Sequence, residues 1–462
     1  MYLKRYFVEG LAHASYLFGA DGEAAVVDPK RDVDDYLADA AAAGLRIVAV
    51  LNSHPHADFA SGFPELAART GAKLHTSRLA PVTYDRVPAR DGDRIRVGSL
   101  EVEMLETPGH SPDSLSFLVR EGGKPTVVFT GDLLFVDDVG RPDLRDADSD
   151  PRQLADALYD SLHGKLLSLP DDVKVYPAHG AGSLCGRALG SAPSTTVAQE
   201  KQSNWAAQIK DRWEFAARML ADLPERPAYF GFDVGVNLRG ATPFGGLPPL
   251  RTLTEAEVKE AAADGAVVID TRSAPFFGAG HFPDSLDIGL GSAMFSTWAG
   301  FFVPGGSKIV LVVGDAANAA KARLELARIG FDDVLGCIEA SLLKETHQLS
   351  QLSVCDLKSS LKQDDAPFVL DVRTCGEWQG GHIGTARHIP LPALVKRLAE
   401  VPKDLPVAVL CGSGYRSTIA ASLLLRAGHT RLSNVMGGMG AYSETRCADM
   451  APSELVFAPD SN

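Results

Sequence analysis

The chain has 462 residues, 45% hydrophobic and 23% charged, the make-up of a folded soluble protein with ample core, and its length predicts about three domains. Its formal net charge of −14 disfavours nucleic acid and anionic membrane surfaces as partners, because both recruit basic faces. No stretch is long and apolar enough to predict a membrane span, and six cysteines without a C-x-x-C pair predict thiols of a reducing compartment rather than a disulfide frame.

Residues 1–20 read as strand, turn and strand, without the basic region and apolar run of a secretory signal, so the cytoplasm is the expected location. A hydrophobic run at 47–51 then delivers S-H-P-H-A-D-F, residues 53–59. The period-2 spacing sends His54 and His56 to the same side of an extended backbone, while Asp58 turns toward a second position. In H-x-H-x-D-H a final histidine would serve that second position, and here it is Phe59. A phenyl ring offers no lone pair, so the pattern predicts one metal. Further donors each follow a short apolar run and a turn. His110 ends T-P-G-H, Asp132 sits in F-T-G-D-L-L-F after the strand-like 126–130, and His179 closes V-Y-P-A-H-G. On chemistry alone His56 is open as a third imidazole ligand, which would favour zinc and hydrolysis. Two histidines and a carboxylate with open positions suit non-haem iron instead. Asp28, in V-V-D-P, reads as a structural turn residue, and His13 and His75 have no identifiable partner.

Strands and helices alternate irregularly to about residue 169, a helical pattern covers 194–223, and the Pro- and Gly-rich stretch 224–250 reads as a linker. Beyond it the sequence repeats itself. V-V-I-D-T-R followed by Gly280-His281 returns as V-L-D-V-R followed by Gly381-His382, at the same offset. Two homologous α/β domains with parallel sheets are predicted, at 251–347 and 352–455. The second carries V-A-V-L-C-G-S-G-Y-R-S, in which a buried strand ends at Cys411, Gly412 and Gly414 let the backbone curl, and a helix begins near Ser417. Loop amides from Gly412, Ser413, Gly414 and Tyr415, the positive helix end and Arg416 all favour a thiolate nucleophile. In the first copy Val313 stands for Cys411 and Asn318 for Arg416, so a scaffold or docking role is expected there.

These motifs carry a resemblance. The ordered donors from His54 to His179 resemble the metallo-β-lactamase fold, a four-layer αββα sandwich with its metal loops on one edge, over residues 1–240. H-P-H-A-D-F-A-S-G, T-P-G-H-S-P-D-S, T-G-D-L-L-F-V-D-D-V-G-R-P-D-L and Y-P-A-H-G-A-G-S-L-C-G resemble its persulfide dioxygenase branch. L-D-V-R, Glu377, G-H-I and the Cys411 loop resemble a rhodanese, and the loop's Arg416 comes one residue earlier than in related phosphatases, where Ser417 stands here. Together the chain looks like bacterial persulfide dioxygenase–rhodanese fusions. The resemblance implies one Fe(II) per chain held by His54, His110 and Asp132, with His56, Asp58 and His179 supporting those ligands. It further implies oxidation of a low-molecular-weight persulfide by O2 to sulfite, a transferable sulfur on Cys411 that links persulfide, sulfite and thiosulfate in sulfide metabolism, and a homo-oligomer. Arg141 and Arg187 are candidates to anchor the carboxylate or phosphate of a thiol carrier. Cys185 is a candidate to accept sulfane sulfur beside the iron, or a packed thiol. Glutathione, coenzyme A and smaller thiols remain open as carriers. Two rival readings are a glyoxalase II-like dinuclear thioester hydrolase and a non-enzymatic sulfur carrier that uses Cys411 alone.

Overall fold

The structure, a computed structural model, describes residues 1–144, 150–221, 223, 225–445, 447 and 455–456. The chain divides into two units, Met1–Pro248 with Ser296–Gly306 and Leu324–Asp332, and Pro249–Phe295 with Ser307–Arg323 and Asp333–Asn462. Two segments of the predicted middle domain therefore belong to the first unit. Among the described residues no helix is long and apolar enough to cross a membrane.

In the first unit β1 (Tyr2–Val8), β2 (His13–Ala20), β3 (Glu23–Val27), β4 (Arg46–Leu51), β5 (Lys73–Ser77) and β6 (Val87–Ala89) form one sheet in chain order. Two helices, α1 (Asp34–Ala42) and α2 (Phe63–Thr70), make the crossovers on either side of β4. A second sheet runs β12–β11–β10–β9–β8–β7, built from β7 (Arg94–Val97), β8 (Leu100–Glu106), β9 (Leu115–Glu121), β10 (Lys124–Gly131), β11 (Lys174–Pro177) and β12 (Thr195–Thr196). Alternation along the strands builds three apolar layers. Tyr16, Phe18, Phe117 and Phe129 fill the space between the sheets, whereas Leu17, Val26 and Val50 meet Tyr36 of α1 and Phe63 and Leu66 of α2. On the far side Leu118, Val128 and Val175 meet α3 (Pro151–Asp160) and, after α4 (Val197–Ser203) and α5 (Trp205–Gln208), α6 (Arg212–Leu220). This is an αββα sandwich. The segment read as a linker is corrected here: Pro224 lies outside the described residues, but the stretch holds α7 (Phe230–Arg239), whose Phe230, Asp233, Val234 and Asn237 are buried. Gly231 and Gly235 had diluted its helical period.

The second unit contains two parallel sheets. β14–β13–β15–β16 comprises β13 (Val267–Asp270), β14 (Leu286–Asp287), β15 (Ile309–Val313) and β16 (Val334–Glu339), with α8 (Glu255–Ala263), α9 (Ala274–Ala279), α10 (Phe295–Phe302) and α11 (Ala316–Ala327) between or before its strands. β17–β22–β21–β18–β20 comprises β17 (Ser350–Leu352), β18 (Phe368–Asp371), β20 (Arg387–His388), β21 (Val407–Leu410) and β22 (Leu432–Val435). Its helices are α12 (Val354–Ser360), α13 (Cys375–Gln379), α14 (Tyr415–Arg426) and α15 (Gly438–Glu444), while β19 (His382–Ile383) pairs separately with β23 (Leu455–Val456). The repeated motif has one physical meaning in both copies. Asp270 and Asp371 each bind the arginine two residues on, and Arg272 and Arg373 reach the carbonyls of Gly280 and Gly381 at 2.7 and 2.9 Å. The next residues, His281 and His382, stack on Phe277 and Trp378 with ring centroids 3.9 and 3.6 Å apart.

The expectation of thiols is corrected for one pair. Cys355 and Cys447 form a disulfide, and Cys185, Cys337, Cys375 and Cys411 are free. The two partners are 92 residues apart in sequence, and only the folding of α12 against α15 sets their Cα atoms 5.6 Å apart.

Candidate metal centre and sulfur-transfer loop

Strand ends deliver the metal donors. β4 runs into the loop that carries His54, His56 and Asp58, and β10 ends at Gly131, whose φ of 53° suits glycine and whose added Cβ would sit 2.7 Å from Ser53 Oγ. The next residue is Asp132. Ligand atoms of His54, His110 and Asp132 lie within 4.8 Å of one another, all three residues buried. His54 Nε2 and His110 Nε2 stand 3.9 and 3.6 Å from Asp132 Oδ2. Those separations are too long for hydrogen bonds, yet bonds of about 2.1 Å from each atom to one cation span up to about 4.2 Å. Asp132 Oδ2 is fully buried with no hydrogen-bond partner, an arrangement a cation would satisfy. The residues present fit a single bound metal.

The other side chains surround this cluster. His179 lies between two carboxylates, Nδ1 at 2.7 Å from Asp132 Oδ1 and Nε2 at 2.8 Å from Asp58 Oδ2, the second contact too bent for a hydrogen bond and therefore an ion pair. Burial opposes charge on this ring, but Asp132 and Asp58 together raise its pKa well above the usual imidazole value. For Asp132 the balance also favours charge: burial works against it, and His179, His110 and His54 bring its pKa well down. His56 stands outside the ligand cluster, with Nε2 3.3 Å from Asp28 Oδ1. Asp28 is a turn residue with φ 47°, and the same Oδ1 accepts the Ser53 amide at 2.7 Å, so it also orients the histidine loop. Asp58, His179 and Cys185 form a second group of donor atoms. Asp58 and His179 already neutralise each other, and burial followed by the nearby Asp58 and Asp132 pushes the Cys185 thiol pKa well up, so it stays protonated.

Two expected substrate anchors are corrected. Arg141 is 1% exposed and locked to Asp143 by bonds of 3.0 and 2.8 Å, with its backbone amide on Cys185 O. Arg187 donates to the carbonyls of Met219, at 2.8 Å, and Ala221, at the end of α6. Both guanidiniums bind the protein's own oxygens, a distinction that residue type alone does not carry.

Sequence reasoning missed two residues here, His13 and Asn237. His13, at the start of β2, is fully buried with its ring centroid 3.8 Å from Phe59 and 5.6 Å from that of His179. Burial, then His179 and His56, drives its pKa well below the usual value and keeps it neutral. His75 is buried in β5, and burial lowers its pKa to about 4. Asn237 of α7 donates to the carbonyls of His56 and Phe59 at 2.8 and 2.7 Å and accepts the Ser61 amide at 2.9 Å. One side chain thus satisfies three backbone groups of the metal loop. Asn237→Leu is expected to cost about 3 kcal/mol or more in stability, because each stranded buried group costs about 1–3 kcal/mol. Metal affinity should fall roughly 10- to 100-fold as the loop loses its support. Thermal unfolding and chelator competition measure both, and an unchanged metal affinity would remove the role assigned to this asparagine.

In the second unit Cys411 follows β21 and is fully buried, with α14 starting at Tyr415, a little earlier than expected. The Gly414 amide donates to its sulfur at 3.1 Å. Ser417 Oγ is 3.4 Å from the sulfur but 2.6 Å from Asn434 Oδ1, and its single proton goes to the nearer acceptor. The expected ring of amides therefore reduces to one direct donor. Arg416 turns to Glu377, with two bonds of 2.7 and 2.6 Å. A cavity of about 480 Å³ borders this loop, lined by Ser413, Gly414 and Tyr415 and, from the first copy, by Pro275, Gly289 and Ser292. Tyr415 Oη donates to Gly289 O at 3.1 Å. Residues of the middle copy, which has Val313 and Asn318 in place of the nucleophile and its arginine, thus line part of this cavity.

The Arg416 hydrogen bonds, offset in part by burial, lower the Glu377 carboxyl pKa to about 2. A carboxylate depressed on folding adds stability above its unfolded pKa of about 4.3 and loses it as pH falls further toward the folded value. Glu377→Gln should abolish that part of the acid limb in Tm against pH and lower sulfur transfer several-fold, with O2 uptake unchanged. An identical acid limb in the variant would count against the pair.

Comparison with known proteins agrees with this division. Residues 8–179 match the metallo-beta-lactamase superfamily and residues 353–445 the rhodanese-like domain. Persulfide dioxygenase ETHE1, mitochondrial, of Bos taurus is 31% identical over 198 residues, 42% of this chain and 70% of that protein. Its Homo sapiens counterpart is 35% identical over 137 residues, 29% of this chain, so the match spans 50% of that relative's length. Hydroxyacylglutathione hydrolase of Methylobacterium nodulans is 33% identical over 181 residues, 39% of this chain and 62% of that protein. A crystal structure described as a metallo-beta-lactamase from Staphylococcus aureus superposes with TM-score 0.66 at 30% identity, covering 73% of this chain and 99% of that one. Fold and site define a class, a metal-binding αββα module joined to a rhodanese-like module. The chain belongs to the metallo-β-lactamase superfamily, among its ETHE1-like homologues, and carries a C-terminal rhodanese-like domain.

Proposed function

We propose that the chain is a non-haem iron persulfide dioxygenase coupled to a sulfurtransferase, located in the cytoplasm and assembled as a homo-oligomer. The observation that carries this reading is the donor set: two imidazoles and one carboxylate oxygen, with Phe59 where another nitrogen would serve a second metal. Fe(II) held by His54, His110 and Asp132 would supply neighbouring positions for a persulfide sulfur and O2 and relay electrons between them, the sulfur being the reductant and O2 the oxidant. The chain's own residues prepare the site. His179, charged between Asp58 and Asp132, keeps Asp132 Oδ2 turned toward the two Nε2 atoms, and Phe59 with the neutral His13 forms an apolar back wall. One persulfide, one O2 and one water become one thiol, one sulfite and two protons. At the second site Cys411 displaces the thiol of another persulfide, keeps its outer sulfur as a cysteine persulfide and passes it to sulfite, which leaves as thiosulfate. The same bonds run backwards when thiosulfate is the donor.

The hydrolase reading requires a second ion beside the first, where Phe59 offers no donor and His179 is paired with Asp58 and Asp132. The deciding experiment adds glutathione persulfide or coenzyme A persulfide to Fe(II)-loaded protein and follows O2, sulfite and thiosulfate together. Rapid uptake with oxidised sulfur at one metal per chain supports the dioxygenase. No uptake with either persulfide at full iron occupancy overturns it and favours the hydrolase.

A further inference from the structure

The first unit contains a narrow cleft that reaches Asp58 between Gly10 and Leu11, the 182–184 loop, Tyr229, Phe230 and Thr297. Thr297 comes from α10, a helix of the middle copy, in which Val313 stands in place of the loop cysteine. Its hydroxyl donates to Gly10 O at 2.9 Å, and the residue is only 5% exposed. One turn on, Gly300 lies against Tyr229 so closely that an added Cβ would sit 2.4 Å from the tyrosine ring. Tyr229 is buried with Oη 3.5 Å from Asp58 O. Another part of the same domain grips the metal loop itself. Ala60, two residues after Asp58, donates its amide to Arg328 O at 2.7 Å, and the Arg328 guanidinium binds Asp32 with two 2.9 Å bonds.

We propose that α10, within the first unit, is the substrate-selecting wall of the metal site, with Thr297 and the Gly300–Tyr229 contact setting which thiol carriers reach Asp58 and the ligands beyond it. The cleft has room for about one water molecule. A persulfide that takes this route requires Thr297 and Tyr229 to give way, and the larger its organic part, the more they must move. The class admitted is a slim aliphatic or peptidic persulfide, and the side chain at 297 grades it by size. This role gives a use to the segment Ser296–Gly306, which belongs to the first unit and completes a cleft that the αββα sandwich leaves unfinished. The proposal takes over the metal-site assignment but not the dioxygenase reaction.

The test uses the full chain loaded anaerobically with Fe(II), as wild type, Thr297→Phe, Thr297→Gly and Gly300→Ala, each checked for an unchanged circular dichroism spectrum. Two quantities are read: the rate at which the bulky chelator ferrozine captures the iron, and the ratio of kcat/KM for cysteine persulfide to that for glutathione persulfide. Thr297→Phe should slow iron capture and shift the ratio about tenfold toward the smaller substrate, the scale expected of a pocket altered by a few carbon atoms. Thr297→Gly should do the reverse. Gly300→Ala, which must displace the Tyr229 ring, should change both readouts even if the phenylalanine variant does not fold. If folded Thr297→Phe and Gly300→Ala proteins match wild type in both quantities, the helix only packs and the proposal is wrong. If O2 uptake is absent altogether, iron capture alone decides the proposal, so its failure and that of the dioxygenase reading remain distinct.

Discussion

Asp132→Asn is expected to leave a folded protein that no longer retains iron and takes up O2 from persulfide at least roughly 100-fold more slowly, since even weaker supporting contacts around a metal are worth 10- to 100-fold. The substitution is nearly isosteric, and its amide oxygen can still accept from His179 Nδ1, the bond now 2.7 Å long. What disappears is the negative charge at Oδ2, the atom that faces both His54 Nε2 and His110 Nε2. An amide oxygen is a weaker donor to a divalent cation, and the imidazolium at 179 would then keep only Asp58 as a charged partner. Iron content per chain, thermal unfolding and O2 uptake measured on one preparation separate loss of metal from loss of fold. Full iron retention with wild-type uptake would remove Asp132 from the ligand set.

Cys411→Ser should separate the two activities. Oxygen uptake per iron should stay at the wild-type level and sulfite should accumulate, while thiosulfate formation from persulfide and sulfite falls by roughly 1000-fold or more, because a serine hydroxyl is neither ionised near neutral pH nor able to carry sulfane sulfur. The exchange is a mild one sterically. The sulfur is buried, its nearest donor is the Gly414 amide, and the oxygen can keep that contact, so the loop should keep its shape. Intact-mass measurement adds a direct readout: wild type incubated with persulfide should gain one sulfur atom and the variant none. Persistent thiosulfate formation in the variant would move the transferase chemistry to another cysteine.

The metal donors were readable in the chain because each sits where a strand gives way to a turn, and strands announce themselves by apolar runs. His54 after β4, Asp132 after β10 and His179 after β11 all follow that rule. Cys411 after β21 does so too, and the glycines behind it mark the turn. His13 escaped the rule because it begins a strand instead of following one, and its place beside Phe59 comes from pairing between residues far apart, His13 with His179. Asn237 escaped because glycine-poor periodicity is what identifies a helix, and α7 carries two glycines within a Pro-rich stretch. Arg141 and Arg187 misled for the opposite reason. Their type suits a carboxylate or phosphate, but oxygen atoms of their own chain were nearer.

Local spacing and single residues were enough to read the two modules and to single out the candidate ligands, the phenyl ring at Phe59 and the candidate nucleophile Cys411. Only the tertiary structure decided which donor atoms face one another, which charges are already neutralised, as with Arg141 on Asp143, and that Cys355 meets Cys447. Packing also placed Thr297 in a cleft that reaches Asp58. The reason is physical: local motifs are written by backbone geometry over a few residues, whereas the partners of a buried charge or hydroxyl are chosen by packing between segments hundreds of residues apart, as with Thr297 and Gly10.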